Sequence, residues 1–155
     1  MLKGLDPLLN ADILAALRAM GHGDEVVVAD ANFPADTLAR HTVLGRVLRM
    51  DGVDTPRAAR AVLSVLPLDT FVDNPAMRME VVGAPGQILP VHQEVQAELE
   101  RAEAKTLTLA GLERMAFYER AEHAYCVIAT GERRFYGCVI FKKGVIPPAD
   151  EDEAR

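Results

Sequence analysis

The stretch that most constrains this 155-residue chain is Glu25-Val26-Val27-Val28-Ala29, set between Gly21-His22-Gly23-Asp24 and Asp30-Ala31-Asn32-Phe33-Pro34. A strand with one wet face alternates apolar and polar residues. This one does not alternate, which is the pattern of a strand covered on both faces in a largely parallel sheet. Helices must then supply both covers. The rest of the chain provides them in alternation with further strands.

Asn10 is placed to cap a helix whose apolar positions Ile13, Leu14, Leu17 and Met20 keep the 3.6-residue period, and Gly21 ends it. "ANFPADT" after the valine run reads as a loop, because Pro34 and Asp36 break any period. A strand is expected near 46–50. A helix starts at Thr55-Pro56, with proline at the first helical position, and runs through Leu66. Residues 77–83 read as a strand, and "TLTLA" as a short one. Pro90 to Lys105 is the clearest amphipathic helix, with Val91, Val95 and Leu99 inward. Residues 113–123 read as helix. The runs 125–129 and 135–141 flank "TGERR" and predict a C-terminal antiparallel hairpin. The order predicts a three-layer α/β/α fold with a mostly parallel, mixed sheet and an antiparallel edge. Residues 1–147 are read as one domain and the acidic, proline-led 148–155 as a disordered tail.

Composition excludes several function classes. A net charge of −6 argues against a nucleic-acid phosphate backbone as partner. No apolar run approaches the ~20 residues needed to span a bilayer, and no signal-like leader opens the sequence. With only Cys126 and Cys138, and no metal-like spacing, a reduced cytoplasmic protein is expected. No Ser-His-Asp arrangement, zinc signature or nucleotide-binding glycine loop is present.

The residues that could carry chemistry cluster in three places. His22 sits between two glycines, which free the backbone and leave the imidazole open. Imidazole is the side chain best suited to moving protons near neutral pH. Read locally, His22 is either a solvated turn residue or a presented acid/base, and Asp24 is either a surface carboxylate or the group that orients the ring. Asp30 closes the valine strand, where α/β sheets bind ligands, and a carboxylate there either caps a loop or grips hydroxyls. His22 lies at the other end of that strand, and a site shared across subunits could join the two. Arg114 and Tyr118 share a helical face. Tyr136 is followed by Gly137, which weakens a strand and points to close backbone approach by a ligand. His41, His92 and His123 read as surface or packing residues.

Two stretches, "KGLDPLLNADILAALRAMGHGDEVVVADANFPA" and "RMAFYERAEHAYCVIATGERRFYGCVIFKKGV", resemble the D-ribose pyranase and L-fucose mutarotase family. The second, with "FYERA" and "TGE", is closer to the fucose branch. The resemblance covers roughly residues 1–147, and GHGDE with D-A-x-F-P is its most specific part. It implies an α/β/α fold, a ring-like homo-oligomer such as a decamer with sites between subunits, and catalysis without metal or cofactor. By motif, His22 is the proton donor and Asp30 and Arg114 bind the sugar. Tyr136, Gly137 and Cys138 give the last substrate contacts, and Tyr118 matches a tyrosine of the fucose branch. Two departures bear on sugar preference: Tyr-Gly-Cys replaces the family's Tyr-x-Asn, and Asn32 stands where fucose mutarotases often carry His. The implied activity is anomer interconversion of a fucose-like monosaccharide by acid/base ring opening and closure. His22 would be one group, and Tyr136, Tyr118 or water the other. The alternatives are pyranose/furanose exchange and a non-catalytic sugar-binding protein.

Overall fold

The computed structural model describes residues 1–103 and 105–148; of the expected tail at 148–155, all but the first residue lies outside the described residues. Helix α1 (Ala11–Ala19) leads into β1 (Glu25–Ala29), then α2 (Ala35–Ala39), β2 (Val47–Met50), α3 (Thr55–Leu63) and β3 (Ala76–Met79). After these come α4 (Pro90–Ala102), β4 (Ala110–Leu112), α5 (Arg114–Glu122), β5 (Cys126–Thr130) and β6 (Val139–Lys142). The six strands form one sheet in the order β2-β5-β1-β6-β3-β4.

Every residue of β1 is buried, as its unbroken apolar run demands. Val26 and Val28 face a core closed by α1, α3 and α4, with Ile13, Leu17, Val62, Val95 and Leu99 among its members. Val27 and Ala29 face the opposite core, with Leu38 from α2 and Phe117 and Ala121 from α5. The architecture is therefore the expected three-layer α/β/α. Asn10 caps α1 by accepting from the Ile13 amide at 3.0 Å, and Asp54 caps α3 from the Arg57 amide at 2.9 Å.

Several expectations change. β5 and β6 are not a hairpin: β1 lies between them, parallel to β5 and antiparallel to β6. An apolar–turn–apolar pattern does not distinguish strands that pair from strands that straddle a third. β1, dry on both faces, needs partners on both edges. The antiparallel strand consequently sits inside the sheet, with β2 and β4 at the edges. Within "ANFPADT", Ala35 opens a five-residue helix, too short to give a periodic signal. β4 lies at the end of the expected "TLTLA" strand and beyond it.

Since β3 and β1 are both antiparallel to β6, five strands run the same way and their carboxyl ends share one rim. That rim carries Asp30. The opposite rim carries His22.

Candidate functional site

At the carboxyl rim a cavity of about 360 Å³ opens between β1, β3, α5 and the segment leading into β6. Asp30, Phe33, Arg114, Tyr118, Tyr136 and Cys138 are among the residues that line it. Residues separated by about a hundred positions thus meet in one place.

Asp30 is buried, and its Oδ1 accepts from the amides of Asn32 at 2.9 Å and Phe33 at 3.0 Å. It is a loop cap and a cavity carboxylate at once, so the two local readings are not exclusive. Its own amide donates to Cys138 Sγ at 3.3 Å. Burial and the facing Asp30 carboxylate push the Cys138 thiol well above its ordinary range, so the sulfur stays neutral. Phe33 stacks on Tyr118 with centroids 5.4 Å apart, and the Arg114 guanidinium lies 5.9 Å from the Tyr118 ring. The helical spacing of four delivers this last pair as expected. The wall of the cavity is aromatic, and its rim holds one cation and one anion.

Tyr136 adopts φ 60°, and among the described residues it is the one non-glycine with positive φ. That conformation costs roughly 1–2 kcal/mol for an L-residue, so the surroundings must impose it. They do so from three sides. Its hydroxyl oxygen accepts from the Val82 amide at 3.3 Å. Its carbonyl accepts from His92 Nε2 at 2.9 Å. The next carbonyl, of Gly137, accepts from Thr55 Oγ1 at 2.6 Å.

Gly137 itself answers to a neighbour within the chain. A Cβ there would lie 2.7 Å from Glu132 Cγ and 3.2 Å from the Arg134 carbonyl oxygen. The close approach expected from a ligand is made by Glu132. That buried carboxylate accepts from the Thr55 amide at 3.3 Å and from Arg134, whose guanidinium also reaches Glu94 at 2.9 Å. Burial opposes the charge on Glu132, but Arg134 and the two amides outweigh it and hold the carboxyl below its ordinary value.

His22 is outside this cavity. Gly23, at φ 86°, supplies the left-handed turn that its loop needs. The Gly23 amide donates to the Lys143 carbonyl at 2.8 Å, and Lys143 Nζ ties off the end of α1 by donating to Leu17 and Met20 carbonyls at 2.7 and 2.6 Å. The residue that orients the imidazole is Asp69, with Oδ1 3.1 Å from His22 Nε2. Asp24 instead caps the turn, accepting from the Gly21 amide at 2.7 Å. Asp69 is buried, which disfavours its charge, yet the Phe71 amide and the His22 ring outweigh burial and keep its carboxyl below the ordinary range. This anchors the Nε2–H tautomer and leaves Nδ1 as the acceptor. Phe71 meets the His22 ring edge-on at 5.5 Å and is itself 73% exposed.

Sequence reasoning missed Asp69, His92 and Glu132. "LDT" carries no local sign of a histidine 47 positions earlier, since only the pairing of Leu68 with Lys143 brings them together. Among the described residues, no three His, Cys, Asp or Glu side chains gather to hold a metal ion.

The description of the RbsD / FucU transport protein family fits residues 3–146 of the chain. The chain belongs to this family. The fucose mutarotase of Bos taurus is 46% identical over 153 residues, covering 97% of each chain. The L-fucose mutarotase of Glaesserella parasuis is 38% identical, covering 95% of this chain and 97% of that one. Among solved structures, a Streptococcus pneumoniae fucose mutarotase in complex with L-fucose superposes with a TM-score of 0.83 at 37% identity, over 94% of this chain and all of that one.

Proposed function

We propose that this protein is a mutarotase that interconverts the α and β anomers of L-fucose, or of a reducing monosaccharide closely like it. The observation that carries this reading is the cavity itself. A carboxylate, a guanidinium and a stacked aromatic wall meet there, in a chain 46% identical to a fucose mutarotase. The apolar face of a sugar ring packs on aromatic surface, while carboxylate and guanidinium fork to its hydroxyls. About 360 Å³ suits a single sugar and not a chain of them.

The reaction opens the ring to the aldehyde, lets one bond rotate, and closes it again. Opening removes the proton of the anomeric hydroxyl and delivers a proton to the ring oxygen; closing reverses both. No net proton, electron or group is consumed, so a paired acid and base suffice. Asp30 and Arg114 hold hydroxyls and fix the pose. Tyr136 and Tyr118 face the cavity as hydroxyl donors or acceptors, and the backbone of residues 136–138 completes the contacts.

His22 supplies the second proton group from a second copy. Within one chain it lies beyond the opposite end of β1, roughly 17 Å of strand away from Asp30. Exposed Phe71 beside His22 and exposed Phe135 and Met115 near the cavity provide apolar surface for such a joint. Head-to-tail contact of two different rims gives a ring when the rotation between copies closes. Cys126 and Cys138 are buried, unbridged thiols, which fits a reducing cytoplasm.

Saturation-transfer NMR on L-fucose, D-ribose and D-galactose tests the reading. Catalysed anomer exchange is expected, fastest for fucose. Exchange at the uncatalysed rate for all three sugars would overturn it.

A further inference from the structure

We propose that His92, which does not line the cavity, is a positioning residue of this site: it holds Tyr136 in the left-handed backbone conformation that sets the phenol in the cavity wall. The inference rests on the mutarotase reading for its kinetic consequence but not for its structural one. His92 lies in the first turn of α4 and is 1% exposed. The Leu89 amide, which can only donate, meets its Nδ1 at 3.2 Å, so Nδ1 bears no proton. Nε2 therefore carries the hydrogen and donates it to the Tyr136 carbonyl at 2.9 Å.

The geometry leaves the ring one tautomer and one direction. Its bond falls on the single described non-glycine residue with positive φ. Thr55 holds the following carbonyl from α3. Two successive carbonyls are thus gripped by side chains of two different helices, an arrangement suited to imposing a conformation the backbone would otherwise leave. Val82, whose amide meets the Tyr136 hydroxyl, finishes the placement of the ring. A core histidine serving only as a cap for α4 would need the Leu89 bond and nothing more.

Two substitutions separate these roles. In His92→Asn, the amide oxygen can replace Nδ1 and keep the Leu89 contact, but no donor reaches residue 136. In His92→Gln, the terminal nitrogen can replace Nε2 and keep the Tyr136 bond. Positioning predicts that His92→Asn loses about tenfold or more in kcat for fucose anomer exchange, whereas His92→Gln stays within about threefold of the parent. It also predicts that the 13Cα and 13Cβ shifts of Tyr136 leave the left-handed range in the Asn variant alone. In a Tyr136→Ala background, His92→Asn should cost nothing further. The proposal is overturned if the Asn variant keeps the parent rate and shifts, if both variants fall equally, or if the loss is undiminished beside Tyr136→Ala. Should the parent fail to exchange fucose, the mutarotase reading falls, and the Tyr136 shifts still decide the positioning role.

Discussion

At the residue scale, the proposed mechanism gives binding and proton transfer to different side chains, and substitutions should separate them. His22→Asn keeps a hydrogen-bonding side chain beside Asp69 but removes the titratable group. The fold and fucose affinity should survive, while the exchange rate falls by roughly 100-fold, as expected when a general acid–base is lost. Parent-like exchange in a variant intact by circular dichroism would remove His22 from the chemistry. Asp69→Asn should lower kcat with little change in sugar affinity, because it loosens the ring orientation set by the 3.1 Å contact and lies away from the cavity that Asp30 and Arg114 line. Cys138 has a different part. Its sulfur accepts from the Asp30 amide, and Asn at that position would add an amide able to both donate and accept. Cys138→Asn should therefore re-rank fucose, ribose and galactose by about 1 kcal/mol in relative binding. Titration calorimetry with the three sugars checks this, and an unchanged ranking would show that residue 138 does not tune preference.

At the element scale, the segment between β5 and β6 is the most tightly determined part of the site. Glu132 fills the space beside Gly137, and its bonds to Thr55 and Arg134 leave that side chain little room to yield. Gly137→Ala should cost about 2 kcal/mol by overpacking, near 6 °C in Tm for a chain of this size, and should also disturb Tyr136. Differential scanning calorimetry with activity on the same sample tests both halves. The start of β1 holds a second buried carboxylate. Glu25 receives Arg120 through contacts of 2.6 to 3.1 Å and Lys142 at 3.1 Å. Burial raises its cost of ionisation, but the two cations prevail and its folded pKa lies below the ordinary 4.5. A depressed carboxylate stabilises the fold fully above its unfolded pKa, and that contribution drains as pH falls through the folded value. Stability should thus hold above about pH 5 and decline below 4.5, and Glu25→Gln should flatten that decline in urea titrations. At neutral pH the same substitution should cost about 2 kcal/mol, less than a fully buried pair because Arg120 keeps 36% of its side-chain surface in water.

At the scale of the whole molecule, His22 and Asp30 stand at opposite rims, so the mutarotase mechanism proposed above calls on two copies to complete one site. Light scattering should give a mass well above the 16.9 kDa of one chain. Inactive His22→Asn and Asp30→Asn chains, unfolded together in equal amounts and refolded, should regain about a quarter of parent activity. That is the chance that one joint receives both intact residues in a head-to-tail ring. No recovery in mixed oligomers would remove His22 from the site that Asp30 lines.

The local pattern alone determined much of this protein. The unbroken valine run required cover on both faces, and the 3.6-residue spacing of Val91, Val95 and Leu99 required a helix there. The cap residues Asn10 and Asp54 act over three positions, within reach of sequence reasoning. Asp30 and the Arg114–Tyr118 pair were legible for the same reason: their significance lies at a strand end or along one helical face. Tertiary structure alone decided what spans long separations. Which strands flank β1 depends on closing both its edges, and the pattern around "TGERR" is equally compatible with a hairpin. Asp69 reaches His22 only through the pairing of residue 68 with residue 143, and Gly137 is glycine because Glu132 occupies its side-chain space. His92 read as a packing residue, and it is one; its bond to a strained carbonyl 44 positions away becomes visible only once α4 is laid beside the segment leading into β6.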